Sequence, residues 1–364
     1  MAHNKRPTSS WSPIEAFRSL LGRSNLVNKD RVHYLRDLVF QHRTFDVKGV
    51  AAPGEASLDL EQVFVNVGLS QADQNTSTNP VPVLNQNGRE EQIPIWRFLL
   101  PRPNRRPKNL VVLGAPGTGK TTLLKHLALS LAVPTQDQPH LDKTPILLYL
   151  RDIANHIEQN PHYGLRQAVQ AMLVGRKVEL SLDWLVAELA NGRCLIMLDG
   201  LDEVADLERR QQVAAWVQRQ IRRHHPNQFI VTSRPFGYQS NPLSDTLQLE
   251  VKPFTIEQIR QFVNNWYLSN EQQKQGRDDE GVHRDAQINA KDLLSRLHQT
   301  PALLEMGVNP LLLTMIATIH HYRGRLPDQR VALYHEICDV FLGKRQQARG
   351  IKFELTPSQK KRVL

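Results

Sequence analysis

The stretch Gly114-Ala115-Pro116-Gly117-Thr118-Gly119-Lys120-Thr121-Thr122 lies between an apolar run at 109–113 and a segment with helical spacing at 121–133. Its pattern, GxxxxGK followed by Thr, places glycines where the backbone must bend tightly and turn successive N–H groups inward. A helix starting directly behind the bend aims its positive end at the same point. Such a nest fits an anionic phosphate. In this reading Lys120 reaches the outer phosphates as a point charge, and the Thr121 hydroxyl holds Mg²⁺ while its backbone N–H faces phosphate. The strand before the loop and the helix behind it argue against a merely structural glycine-rich turn.

Outward from the loop, short apolar runs at 109–113, 145–150, 194–198, 228–232 and 247–251 alternate with helical spacing at 121–133, 165–174, 181–191 and 208–223. Five strands separated by helices predict an α/β fold with a parallel sheet covered on both faces. Ligands of such sheets bind at the carboxyl ends of the strands, where the loop after Leu113 lies. The third strand ends in Leu195-Ile196-Met197-Leu198-Asp199-Gly200-Leu201-Asp202-Glu203. Four apolar residues and then an acid is the pattern of a buried strand delivering a carboxylate to Mg²⁺, so Asp199 is the metal-side residue, acting through the ion or its water shell. Asp202 and Glu203 follow within one turn and can polarise an attacking water, as general base or by orienting it. The plainer alternative is that these acids cap the next helix. The fourth strand ends in Thr232-Ser233-Arg234-Pro235. Arg234 can approach an outer phosphate there and supply positive charge as it leaves; a surface ion pair is the alternative.

Residues 1–50 carry a mainly helical pattern, 61–67 alternate Val63, Val65 and Val67 on one face as a half-buried strand would, and 71–88 read as a polar linker. After Val251 the strand signal ends, and helices are expected over 255–268, 287–299, 310–322 and 329–346, with an exposed loop at 272–284. Thr255 is placed to cap its helix, with Gln258 as capping-box partner. Pro310 stands at a first helical position, where proline is favoured whatever the protein does. The expected division is an N-terminal helical and strand region with a linker (1–95), a nucleotide-binding domain (96–253), a helical domain (254–350) and the start of a further domain (351–364).

The 364 residues carry 46 Lys and Arg against 36 Asp and Glu, a formal charge of +10. That surplus raises the question of a nucleic-acid partner. It is dispersed, however, over short groups: Arg102, Arg105, Arg106 and Lys108; Arg219, Arg222 and Arg223; Lys344, Arg345 and Arg349; Lys360, Lys361 and Arg362. Most of these read as solvated loops or helix faces, and nucleic acid is not favoured. No apolar run reaches the roughly 18 to 20 residues of a membrane helix. The two cysteines, Cys194 and Cys338, lie far apart in apolar segments, which fits a reducing cytoplasm rather than a disulfide framework. His335-Glu336 lacks the second His of HExxH, and the pairs His224-His225 and His320-His321 have no matching ligand cluster, so no metal beyond Mg²⁺ is indicated.

Taken together, GAPGTGKTTLLKHLA, LIMLDGLDEV, IVTSRPFGY, VKPFTIEQIRQFVNNWY and NPLLLTMIATIHHYRGRLPDQRVALYHEICDVFL resemble a NACHT NTPase, one of the signal-transduction ATPases with numerous domains. The resemblance runs from about residue 30 to the last residue, and Asp199-Gly200-Leu201-Asp202-Glu203 is its most specific part. It implies a P-loop sheet of order 5-1-4-3-2, ATP and ADP as ligands, adenine contact near Pro310, and a switch that rests with ADP and self-associates when an unknown trigger engages a sensor. Such proteins resemble bacterial relatives of inflammasome receptors, which implies signalling and defence. The family usually continues into a winged-helix domain, whose histidine touches the nucleotide, and a repeat-rich sensor. This chain ends at KFELTPSQKKRVL, where that next domain would begin, so a fragment, a truncated reading frame or half of a split protein is expected.

Three functions compete: a switch that binds ATP with Mg²⁺ and hydrolyses it slowly, a non-hydrolysing oligomerisation scaffold in which nucleotide is structural, and a nucleic-acid-dependent ATPase. Asp202 and Glu203 argue against the second, and the C-terminal region that the resemblance expects beyond this chain argues for it.

Overall fold

The computed structural model describes residues 28–45, 58–71, 92–100, 108–134, 141–324, 326–327 and 331–336. In chain order the elements are α1 (Lys29–His42), β1 (Thr44–Phe45), β2 (Leu58–Asp59), α2 (Leu60–Val63), β3 (Leu69–Gln71), α3 (Trp96–Leu99), β4 (Asn109–Leu113), α4 (Lys120–Ala132), β5 (Thr144–Tyr149), α5 (Leu150–Gln159), α6 (Leu165–Gly175), α7 (Asp183–Ala190) and β6 (Cys194–Asp199). A 3₁₀ turn at Leu201–Glu203 follows, then α8 (Leu207–Arg223), β7 (Gln228–Ser233), α9 (Pro235–Gln239), β8 (Thr246–Val251), α10 (Ile256–Gln275), α11 (Glu280–Gln299), α12 (Pro301–Gly307) and α13 (Pro310–Arg323).

The main sheet has six strands in the order β3-β8-β4-β7-β6-β5. Its five long strands run parallel, and β3 joins β8 antiparallel, with Leu69 opposite Val251. This corrects the expectation of five strands, because the short edge strand has too few residues for a period to show. Every residue of β6 and β7 is buried, as it must be where helices cover both faces, and their centres, Leu195–Leu198 and Phe229–Val231, read as continuous apolar runs. β7 lies between β4 and β6, which brings the ends of the three strands that precede the phosphate loop, Arg234 and Gly200 to one edge. Among the described residues no helix is long and apolar enough to cross a membrane.

Two further expectations are corrected. Residues 61–67 are not a strand: the Asp59 carboxylate accepts from Glu61 N at 2.9 Å and starts α2, and the chain then runs extended to Gly68. Val63, Val65 and Val67 are all buried, so the alternation reported burial without strand pairing. The polar stretch 272–284 is mostly helix: α10 continues to Gln275, Gly276 caps it at φ +64°, and Asp279 starts α11 by accepting from Val282 N. Its polar residues face outward, while Val282 and Ala286 are buried. Helices α5 and α12 had no counterpart in the sequence reading.

The Thr255–Gln258 capping box forms, with Thr255 N donating to Gln258 Oε1 at 2.7 Å and Gln258 N to Thr255 Oγ1 at 3.2 Å. Gln258 also donates to Asn66 O at 2.7 Å, tying α10 to the segment before β3. Inside the helical part, His320 is buried between Tyr267 (2.6 Å) and Asp292 (2.9 Å), a polar network rather than a metal ligand. Groups of His, Cys, Asp and Glu able to hold a metal are absent among the described residues. Cys194 is buried in β6, and burial pushes its thiol up to about 12. Cys338, the helix expected over 329–346 apart from 331–336, the linker after Gln71, and residues 351–364 lie outside the described residues.

Candidate functional site

The loop between β4 and α4 turns on Gly117 and Gly119, at φ +77° and +87°, a backbone conformation that side chains with a Cβ rarely adopt. Gly114 N donates to Ser233 O at 3.2 Å, fixing the start of the loop to β7. Helix α4 begins at Lys120 without a side-chain cap, which leaves its first amides available to an anion. Lys120 Nζ donates to Gly114 O (2.7 Å) and Ala115 O (3.1 Å), so its ammonium lies along the loop. Burial lowers the Lys120 pKa; Asp202 and Asp199 oppose that shift, and Arg234 adds to it.

Asp199 is 4% exposed. Its two oxygens accept from Thr121 Oγ1 at 2.7 Å and Thr232 Oγ1 at 2.5 Å, while Gly200 N donates to Thr232 Oγ1 at 2.8 Å. A hydroxyl and a carboxylate oxygen side by side, next to a phosphate nest, are hard oxygen donors of the kind Mg²⁺ takes together with phosphate oxygens. Thr121 and Asp199 therefore fit that ion.

The other charged residues are paired. Arg234 donates through its backbone N to Asp202 Oδ1 and through Nε to Asp202 Oδ2, both at 2.9 Å. Glu203 Oε2 accepts from Arg151 Nη1 at 2.6 Å. Arg151 heads α5, and its guanidinium also stands 5.5 Å from the Tyr149 ring centroid. Asp202 and Glu203 do not cap α8; Asp206 does, by accepting from Arg209 N.

These groups border one cavity of about 460 Å³, which Pro116 to Thr122, Asp199, Asp202, Glu203, Arg234 and Pro310 all line. Gly114 and Ala115 do not line it; their carbonyls accept from Lys120 Nζ. Val65, Val67, Phe254, Phe262 and Met315 also line the cavity and give it an apolar wall.

Helix α13 is docked on the loop itself. Asn309 caps α13 by accepting from Leu311 N (3.0 Å) and Leu312 N (3.3 Å), and its amide donates to Pro116 O at 3.0 Å. Leu311 N also donates to Gly117 O at 3.2 Å. Asn309, Arg151, Phe254 and Phe262 were not singled out from sequence; an Asn directly before a helix-starting Pro signals a cap, but not what the cap touches. A methyl at Gly117 would meet Asn309 Oδ1 and Leu311 Cβ at 2.8 Å. Gly117→Ala is therefore expected to lower the melting temperature and weaken nucleotide binding about tenfold, since left-handed backbone alone costs a residue with a Cβ about 1–2 kcal/mol. A melt and an ATP titration check this, and a variant unchanged in both would contradict the docking.

A parallel sheet whose first long strand feeds such a loop, with an acid at the end of a strand two places away, defines the P-loop class of nucleotide-binding folds. Within that class the family model for the NACHT domain matches residues 108–271, and the chain carries a NACHT domain. No curated protein matches the chain.

Proposed function

We propose that the chain binds ATP with Mg²⁺ and hydrolyses it slowly, coupling the state of the nucleotide to the position of its helical part. The observation that carries this reading is the cavity shared between the phosphate loop and the start of α13, with Asn309 and Leu311 bonded to the loop carbonyls. Residues 96–253 act as the nucleotide-binding domain and 254–350 as the helical domain. Gly114 to Thr122 bind the phosphates, Thr121 and Asp199 hold Mg²⁺, and Pro310 closes over the base. Mg²⁺ held there would supply positive charge against the phosphate oxygens. Glu203 takes up or orients the proton of an attacking water, and Arg234 meets the charge that develops on the outer phosphate. Lys120, Thr121 and Arg234 contact the γ-phosphate only while it is present, so its loss changes what the loop offers to α13. Preference for ATP, self-association, a cytoplasmic location and a part in signalling or bacterial defence rest on the family resemblance.

One observation favours a second reading, a nucleotide-bound scaffold that does not turn over: both acids are occupied, Asp202 by Arg234 and Glu203 by Arg151. If the Arg151 pair restrains Glu203, the two readings are separated by Mg²⁺-dependent phosphate release from ATP by the parent chain and by Arg151→Ala. The switch reading expects slow release that rises severalfold in the variant. Bound nucleotide with no release from either protein would support the scaffold.

A further inference from the structure

A second concavity, of about 470 Å³, lies at the far end of α8 from the phosphate loop. That helix starts just after the Leu201–Glu203 turn and spans 17 residues, about 25 Å at 1.5 Å per residue. Tyr163 and Gln220, 7% and 4% exposed, form the floor. The Tyr163 hydroxyl and the Gln220 side-chain oxygen are both buried without a hydrogen-bond partner. Two buried polar groups left without a partner at the base of one opening are groups that a ligand could complete.

The rim is cationic. Arg219, Arg222 and Arg223 stand at i, i+3 and i+4 in the last turns of α8, exposed and without a carboxylate partner among the described residues. Arg209 on the same helix, by contrast, pairs with Glu158 at 2.9 Å. The helix dipole favours cations at this end, which accounts for the arginines but not for the unpaired groups beneath them. Arg223 also borders a neighbouring concavity with His224, His225 and Arg166, the last paired with Asp183 at 3.1 Å, so the cationic strip continues from Arg223 past the first opening. Burial, helped by Arg223, lowers the pKa of His224, and the charge of the strip rests on the arginines.

We propose that this strip binds the phosphodiester backbone of a nucleic acid, with Arg219, Arg222 and Arg223 on phosphate oxygens and the Tyr163 hydroxyl donating at the floor. Neither opening presents an exposed Phe, Tyr or Trp on which a base would stack, so the contact is to the backbone and independent of sequence. An acidic protein face would want an apolar anchor at its centre; Arg219 to Arg223 offer none exposed, and exposed Val186 borders only the neighbouring opening. The basic groups that looked dispersed along the chain thus include one that the fold sets over a polar pocket.

The test is the fluorescence anisotropy of a fluorescein-labelled single-stranded DNA of about 20 nucleotides with the full chain. It is run in the parent and in Lys120→Ala, so that the phosphate loop is not what is read. Combined Arg219→Ala, Arg222→Ala and Arg223→Ala is expected to weaken binding at least tenfold and to flatten the slope of log K against log salt by about 2, at about 0.7 per phosphate. Tyr163→Phe is expected to weaken binding twofold to fivefold without changing that slope. Arg260→Ala, Arg277→Ala and Arg284→Ala together remove the same charge elsewhere and should stay within twofold. The proposal is overturned if this control loses as much as the strip variant, if the parent does not bind at low salt, or if polyglutamate displaces the probe as well as unlabelled DNA does.

Discussion

Replacing Lys120 by Ala is expected to weaken binding of ATP with Mg²⁺ at least a hundredfold, about 2.8 kcal/mol at 1.4 kcal/mol per decade. The ammonium is partly buried and held along the loop by Gly114 O and Ala115 O, so it arrives at the phosphates already oriented and partly stripped of water. A point charge so placed loses little freedom on binding, and its removal leaves the outer phosphates facing only backbone dipoles and the ion. Isothermal titration with ATP reads the loss, and the melting temperature of the ligand-free variant shows that the fold survives. Parent-like affinity in a folded variant would mean that the loop does not hold the phosphates.

Glu203→Gln is expected to lower turnover a hundredfold or more while leaving the dissociation constant for ATP within about threefold, the range a positioned general base supplies. The substitution keeps the shape of the side chain, removes the proton acceptor, and weakens the contact to Arg151 that now holds it at 2.6 Å. Single-turnover hydrolysis beside an equilibrium titration separates the two effects. Equal losses in affinity and turnover would instead make Glu203 part of nucleotide binding. Asp202 is the sterner competitor for the role, but both its oxygens serve Arg234.

Much of the polar side of the site was legible in the chain because its chemistry needs residues that other contexts rarely supply together. Glycines at 117 and 119 answer left-handed backbone, and Asp199 ends a strand with no other exposed demand on an acid. The structure brings both together with Arg234 and Pro310 around one cavity. The apolar wall was not legible, since Phe254, just before α10, and Phe262, within it, are residue types that any buried packing position would take. Nor was the contact of Glu203 with Arg151 or of Asn309 with Pro116, which join residues far apart in sequence through hydrogen bonds that leave no period. The valines of 61–67 misled for a related reason: alternate burial is shared by strands and by an extended segment pressed on a core. Likewise Gly276 and Asp279 marked the ends of two helices inside a stretch whose polarity alone suggested a loop.

The central claim is that one nucleotide is held jointly by the phosphate loop and the start of α13. Hydrogen exchange of the full chain, with and without ATP and Mg²⁺, tests it most directly. The expected result is slowed exchange both at Gly114 to Thr122 and at the first turn of α13 from Leu311, with the second protection lost in Gly117→Ala. Protection confined to the loop, or none at either place, would contradict a shared site.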